Sequence, residues 1–272
     1  MSKLYPPQVN TSKLEIHLWW FTALLIAINV GLFAWQVLHG MDISNPSTID
    51  AIRWGADYAP LSFLAEPARL FTSMFFHFGL IHLMLNMWAL YIFGSIAEQM
   101  LGRVYFIGLY FLAGISGSLL SGYVSIQDSY ELLRIGEANR ALLPSVGAGA
   151  SGAVMGIGAA LTILSLFPVL PQQRFLLDKR TLVSVMAINL VMGFMISGIN
   201  NAAHIGGMLM GAFLATTWYF GQKIQRGVVV NLASLLLGLA ICWFIYQYCL
   251  SLVVYVTPLW QELIQWMPNT TS

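Results

Sequence analysis

The chain reads as an all-α integral membrane protein, a polytopic bundle of transmembrane helices. Three observations predict this class. Of 272 residues, 58% are hydrophobic and only 8% are charged, whereas a soluble domain carries about 25% charged residues. Seven apolar stretches are each long enough to cross a bilayer, which takes about 20 helical residues. Lysine and arginine then fall unevenly on the two sides that these stretches define. The formal net charge of +1 offers nothing to nucleic acid.

The elements follow in chain order. Residues 1–17 form a short segment, expected on the cytoplasmic side. The first apolar stretch begins at Leu18 and runs for about 21 residues, longer than the 7–15 of a signal-peptide core. Gln36-Val37-Leu38-His39 is a poor cleavage site, so this helix, roughly 18–38, is expected to be retained. A loop over 39–76 mixes Trp54, Tyr58, Leu61, Phe63 and Leu64 with charged residues. Further spans are expected at roughly 78–100, 104–126, 147–169, 181–199, 201–220 and 229–256. The tail beyond Val256 is too short to fold alone. Cys242 and Cys249 share the last span and lie about 10 Å apart along it, too far for a disulfide. No internal repeat is evident.

With the N-terminus in the cytoplasm, Lys3, Lys13, Arg103, Arg174, Lys179, Arg180, Lys223 and Arg226 lie inside. Only Arg53, Arg69, Arg134 and Arg140 lie outside. Eight of the 12 basic residues are therefore inside, as the positive-inside rule asks, and the C-terminus is outside. The second, fourth and sixth spans then all start at the outer face. His77, His82 and Asn86 stand near the start of the second, Ser151 near that of the fourth, and His204 near that of the sixth. At 1.5 Å per residue, each lies within roughly 5–15 Å of the outer rim. Five polar side chains from three spans share one depth.

A histidine inside the hydrocarbon region is costly and marks function by default. A serine alone is not informative, since serines pack and hydrogen-bond between membrane helices. Context changes that. Ser151 stands in Gly147-Ala148-Gly149-Ala150-Ser151-Gly152-Ala153, with Gly156 one turn on. His204 stands in Ala203-His204-Ile205-Gly206-Gly207, with Gly211 following. Such small-residue faces let helices approach closely. A serine–base hydrogen bond of about 2.6–3.2 Å requires that approach. His82 and Asn86, four residues apart, share a helix face and offer N–H donors for an oxyanion, as does the Ser151 backbone N–H. His77 is about 140° round a helix from His82 and is expected to face elsewhere, hydrogen-bonded in the preceding loop. Every Asp and Glu lies in a loop or near a span end. A third catalytic acid is thus missing, and a Ser151–His204 dyad is expected. The same absence argues against an aspartyl intramembrane protease, and the lack of His-Glu-x-x-His argues against a zinc one. Neither metal nor other cofactor is expected.

With these residues in view, the chain resembles the rhomboid family of intramembrane serine proteases. The resemblance rests on Gly149-Ala150-Ser151-Gly152, on Ala203-His204-Ile205-Gly206-Gly207 with Gly211, and on His77, Phe78, His82 and Asn86. Arg69 and Glu98 also fall where the family carries an outer-loop arginine and a glutamate at the inner end of the second span. Two positions depart from the family pattern: Ala68 precedes Arg69 in place of tryptophan, and Met155 replaces an aromatic residue four after the serine. Methionine can still contact an imidazole as a soft apolar neighbour.

The resemblance implies a rhomboid-like six-helix catalytic core over 18–221, and a seventh helix with a short tail over 222–272, the "six plus one" form. It implies Ser151 as nucleophile and His204 as general base and acid. It gives His82, Asn86 and the Ser151 N–H as the oxyanion site, with Gly149, Gly152, Met155 and His77 in support. It implies a membrane-embedded first loop and span 181–199 as a lateral gate. The expected activity is a serine endopeptidase cutting transmembrane segments near the outer face. Its partners would be single-pass or other membrane proteins in the bilayer, and its place a bacterial inner membrane. Two other readings are an inactive relative that binds membrane proteins and a small transporter. The one-sided polar cluster and the lack of a repeat weigh against transport.

Overall fold

The computed structural model describes residues 16–169, 180, 182–184, 186–187, 190–191 and 201–267. The first span is α1 (Trp20–Leu38). The loop that follows is folded, not extended: it holds α2 (Thr48–Arg53), strand β1 (Asp57–Tyr58), α3 (Ala59–Leu64) and α4 (Arg69–Thr72). The second and third spans are α5 (Leu80–Leu101) and α6 (Arg103–Ile135), divided only by Gly102. Strand β2 (Val146–Gly147) then pairs antiparallel with β1, Asp57 opposite Gly147 and Tyr58 opposite Val146. After it come α7 (Ser151–Leu166), α8 (Asn201–Lys223) and α9 (Gly227–Gln265).

Among the described residues, α1, α5, α6 and α9 are long and apolar enough to cross a membrane, and α7 is a shorter apolar helix. The expected span 181–199 lies mostly outside the described residues, and with it the gate. Three boundaries differ from those read in the sequence. The third span continues to Ile135, and the seventh continues through Pro258 to Gln265. The fourth begins only at Ser151, because Val146 and Gly147 take part in the β1–β2 ribbon instead of a helix. Cys242 and Cys249 are both free and buried.

Buried polar groups join the spans. The start of α1 has no side-chain cap of its own. Glu98 of α5 supplies one, accepting from the N–H of Phe21 at 3.1 Å and from the N–H and hydroxyl of Thr22 at 2.8 Å each. Unpaired N–H groups at a helix N-terminus favour such a carboxylate. Tyr105 of α6 donates its hydroxyl proton to the Leu214 carbonyl of α8 at 2.7 Å and lies 2.9 Å from the Ser234 hydroxyl of α9. Ser116 of α6 donates to the Gly206 carbonyl of α8 at 3.0 Å.

The loop between α1 and α5 is organised by Arg69. Its Nη1 donates to the carbonyls of Ile52 at 2.7 Å and Ala56 at 3.0 Å, and its Nε to Glu66 at 2.9 Å. The guanidinium is buried, and these acceptors compensate its desolvation. Phe63 of α3 reaches inward to α6 and lies against Tyr246 and Trp260 of α9. The loop is thereby seated on the bundle, not merely solvated.

Candidate functional site

Three helices converge where the N-terminal ends of α5, α7 and α8 meet. Ser151 is the first residue of α7 and is half-buried. His204 lies in the first turn of α8 and is buried. Their reacting atoms are 2.9 Å apart, His204 Nε2 to Ser151 Oγ. Main-chain packing sets this spacing. A Cβ at Gly207 would run into the carbonyl oxygen of Gly152, and one at Gly211 into that of Gly156. The glycines one face apart on α7 and α8 are therefore in backbone contact. Gly152 is part of the same crossing, with a Cβ there 3.3 Å from the Ala203 carbonyl oxygen.

The loop before Ser151 turns sharply at Gly149, whose φ of +112° few other residues adopt. Its N–H donates to the Ser73 carbonyl at 2.9 Å. A side chain there would also strike the His82 ring, its Cβ only 2.8 Å from Cε1. His82 of α5 therefore lies across the Gly149 backbone, two residues ahead of the serine. Its Nδ1 accepts the Phe78 N–H at 3.2 Å. In a neutral ring that leaves the proton on Nε2, making this edge a donor. One turn on, Asn86 is buried, and its Nδ2 donates to the His82 carbonyl at 3.0 Å. An amide nitrogen has a second hydrogen, still available. The backbone N–H of Ser151 belongs to the first turn of α7, where no intrahelical acceptor exists.

His77 departs from the sequence expectation. It precedes the first residue of α5, so a helical angle does not describe its direction. Its ring is fully buried, 5.3 Å from that of His82, and Nε2 accepts the Ala150 N–H at 3.4 Å. It thus faces the nucleophile loop. Burial, with the neighbouring His82, holds its pKa down to about 3, so it stays neutral and able to accept. Met155 is buried one turn beyond Ser151 on α7.

The Nδ1 of His204 is buried and has no hydrogen-bond partner among the described residues. No carboxylate stands behind the imidazole there. Sequence reasoning missed Ser73, whose carbonyl fixes Gly149. A backbone acceptor leaves no residue signature, so only the fold reveals it. It missed the β1–β2 ribbon for a similar reason, since two-residue strands have no periodicity to detect.

Comparison with known proteins gives a consistent picture. A family model described as the Rhomboid domain matches residues 64–223. The chain is 28% identical over 244 residues to rhomboid protease AarA of Providencia stuartii, covering 85% of this chain and 83% of AarA. It is 31% identical over 227 residues to rhomboid protease GluP of Bacillus subtilis, covering 83% of this chain but 40% of GluP. It is also 31% identical over 211 residues to RHOMBOID-like protein 1 of Arabidopsis thaliana, covering 74% of this chain and 49% of that protein. The chain therefore spans most of AarA and about half or less of the other two.

Proposed function

The chain belongs to the rhomboid family of intramembrane serine proteases, and from that premise we propose that Ser151 and His204 are its catalytic dyad. The substrates would be transmembrane segments of other membrane proteins, cut near the outer face. The observation that carries this reading is the 2.9 Å separation of Ser151 Oγ and His204 Nε2 at the start of a helix too short to span. At 16 residues, α7 is about 24 Å long, against about 30 Å of hydrocarbon. Such a helix sets its first residue below the membrane surface.

The chemistry follows from the atoms. Ser151 Oγ attacks the scissile carbonyl as His204 Nε2 takes its proton. For Nε2 to accept, the ring proton must sit on Nδ1. The negative charge on the tetrahedral oxygen falls among the Ser151 N–H, the His82 Nε2–H and the free hydrogen of Asn86. His204 then gives its proton to the leaving amine, and an acyl-enzyme remains on Ser151. Water entering from the outer side resolves it. An extended peptide must reach the serine, so substrates need helix-weakening residues such as glycine or proline near the cut. The close glycine packing around Ser151 favours small side chains at the cleaved bond.

The positive-inside bias supports a cytoplasmic N-terminus and a site opening outward. The similarity to the bacterial proteins AarA and GluP supports a bacterial membrane. The test uses the purified chain, a single-span substrate and a fluorophosphonate probe. Ser151→Ala and His204→Ala should lose cleavage to background while remaining folded, and the native chain should be labelled at Ser151. Cleavage retained by either variant would sink the dyad. A native chain that neither labels nor cleaves would point to a family member that binds membrane proteins without cutting them.

A further inference from the structure

The seventh helix outreaches the membrane. Its 39 residues span about 58 Å, roughly twice the hydrocarbon thickness. Its outer end is anchored to α6: Trp260 is fully buried and donates its Nε1–H to Ser129 Oγ at 2.9 Å. Ser129 passes its own proton to the Ser125 carbonyl at 2.8 Å, and Tyr130 donates to the Leu252 carbonyl of α9 at 2.9 Å. The outer end of α9 is therefore fixed relative to the bundle.

That fixed end touches the β1–β2 ribbon. Each strand has two residues, and so short a ribbon has no stability of its own. Part of its support is a small core made by Ile52, Tyr58 and Leu61 with Val146, Ile264 and Met267 packed on it, Val146 resting against the main core as well. Beside it lies a cavity of about 360 Å³ bordered by Ile52, Tyr58, Pro144, Val146 and Met267. Val146 is five residues ahead of Ser151, and between them Gly149 and Ala150 are held by Ser73 and His77. The ribbon and these two holds together fix where the loop presents the serine.

The geometry points to the outer end of α9, through Trp260, Ile264 and Met267, as a positioning element that holds the Ser151 loop by clamping the β1–β2 ribbon. This assignment rests on the reading of Ser151 as nucleophile. The seventh helix then serves catalysis without contacting the reacting atoms.

The experiment uses the full chain and an Ile264→Ala/Met267→Ala double variant. It reads hydrogen exchange of amides at 57–58 and 146–147, the rate of fluorophosphonate labelling, and kcat with KM for a single-span substrate. The double variant should exchange those amides about tenfold faster and label about tenfold more slowly, with kcat lowered and KM within about twofold. Met267→Leu should behave as the native chain. If the double variant fails to fold, Trp260→Phe, which keeps a ring but loses the N–H donor, should show the same signs at about a third of the size. Unchanged exchange overturns the proposal. So does faster exchange with unaltered labelling and kcat, or a rise in KM alone, which would mean substrate contact. A native chain that is never labelled defeats the nucleophile reading instead, while the exchange measurement still decides whether α9 clamps the ribbon.

Discussion

Replacing Gly207 with alanine would separate packing from chemistry. The new methyl runs into the carbonyl oxygen of Gly152, part of the α7 main chain, so no rotamer change relieves it. A carbon–oxygen contact needs about 3.3 Å, so the two helices must part by on the order of 1 Å. The Ser151–His204 separation of 2.9 Å would stretch toward roughly 4 Å, past the useful reach of about 2.6–3.2 Å. A misplacement of that size lowers a rate on the order of 100-fold. Stability should change much less. Overpacking costs about 1–3 kcal/mol, while exchanging a helical glycine for alanine returns about 0.5–1 kcal/mol. The net is roughly 0–2.5 kcal/mol destabilising. The variant should therefore purify folded, with a modest fall in thermal midpoint and almost no cleavage of a single-span substrate in detergent. Gly152→Ala is the control: its Cβ meets the Ala203 carbonyl oxygen at 3.3 Å, which a few tenths of an ångström relieve, and cleavage should stay within about tenfold of native. Cleavage by Gly207→Ala within about threefold of the native rate would refute the claim that backbone contact sets the dyad spacing.

Three further outcomes follow from the loop between α1 and α5 and from the carboxylate cap of α1. Burial raises the Asp57 carboxyl to about 7 from 3.8, against the lowering effects of the Ser62 hydroxyl and Arg69, whereas His77 falls to about 3 from 6.5. Asp57 stabilises the fold most below 3.8 and loses that contribution as pH rises toward 7; His77 contributes fully above 6.5 and loses it as pH falls toward 3. The two slopes oppose each other between, so Asp57→Asn should lose stability on acidification more steeply than the native chain; parallel profiles for the two would contradict the assignment. Glu98→Gln replaces one carboxylate oxygen with a donor facing the N–H groups of Phe21 and Thr22, costing about 1.5–3 kcal/mol in a denaturant or thermal titration. Arg69→Lys cannot satisfy the Ile52 and Ala56 carbonyls and Glu66 together, and proteolytic nicking within 39–76 should accelerate severalfold.

Much of this was legible in the sequence, for physical reasons that differ by residue. Ser151 and His204 stood out because a close helix crossing demands glycine, and glycine is visible in a sequence. The long apolar spans were visible because lipid admits few charges. The extension of α9 to Gln265 was hidden by Pro258 and Glu262, which look like a helix end. Burial of Trp260 against Phe63 and Ser129 continues the helix past them. The direction of His77 was hidden because it depends on where α5 starts, three residues later, and on a backbone N–H at Ala150. The fifth span, 181–199, lies mostly outside the described residues.

The contact of α7 with α8 has a consequence for how the environment acts on this protein. Side chains exchange rotamers and tolerate compression, but two peptide planes pressed together have almost no compliance. Changes in lipid thickness, temperature or neighbouring proteins will therefore be absorbed by the side-chain-packed joints of the bundle. They will alter how often a peptide reaches Ser151 more than they alter how closely α7 and α8 approach.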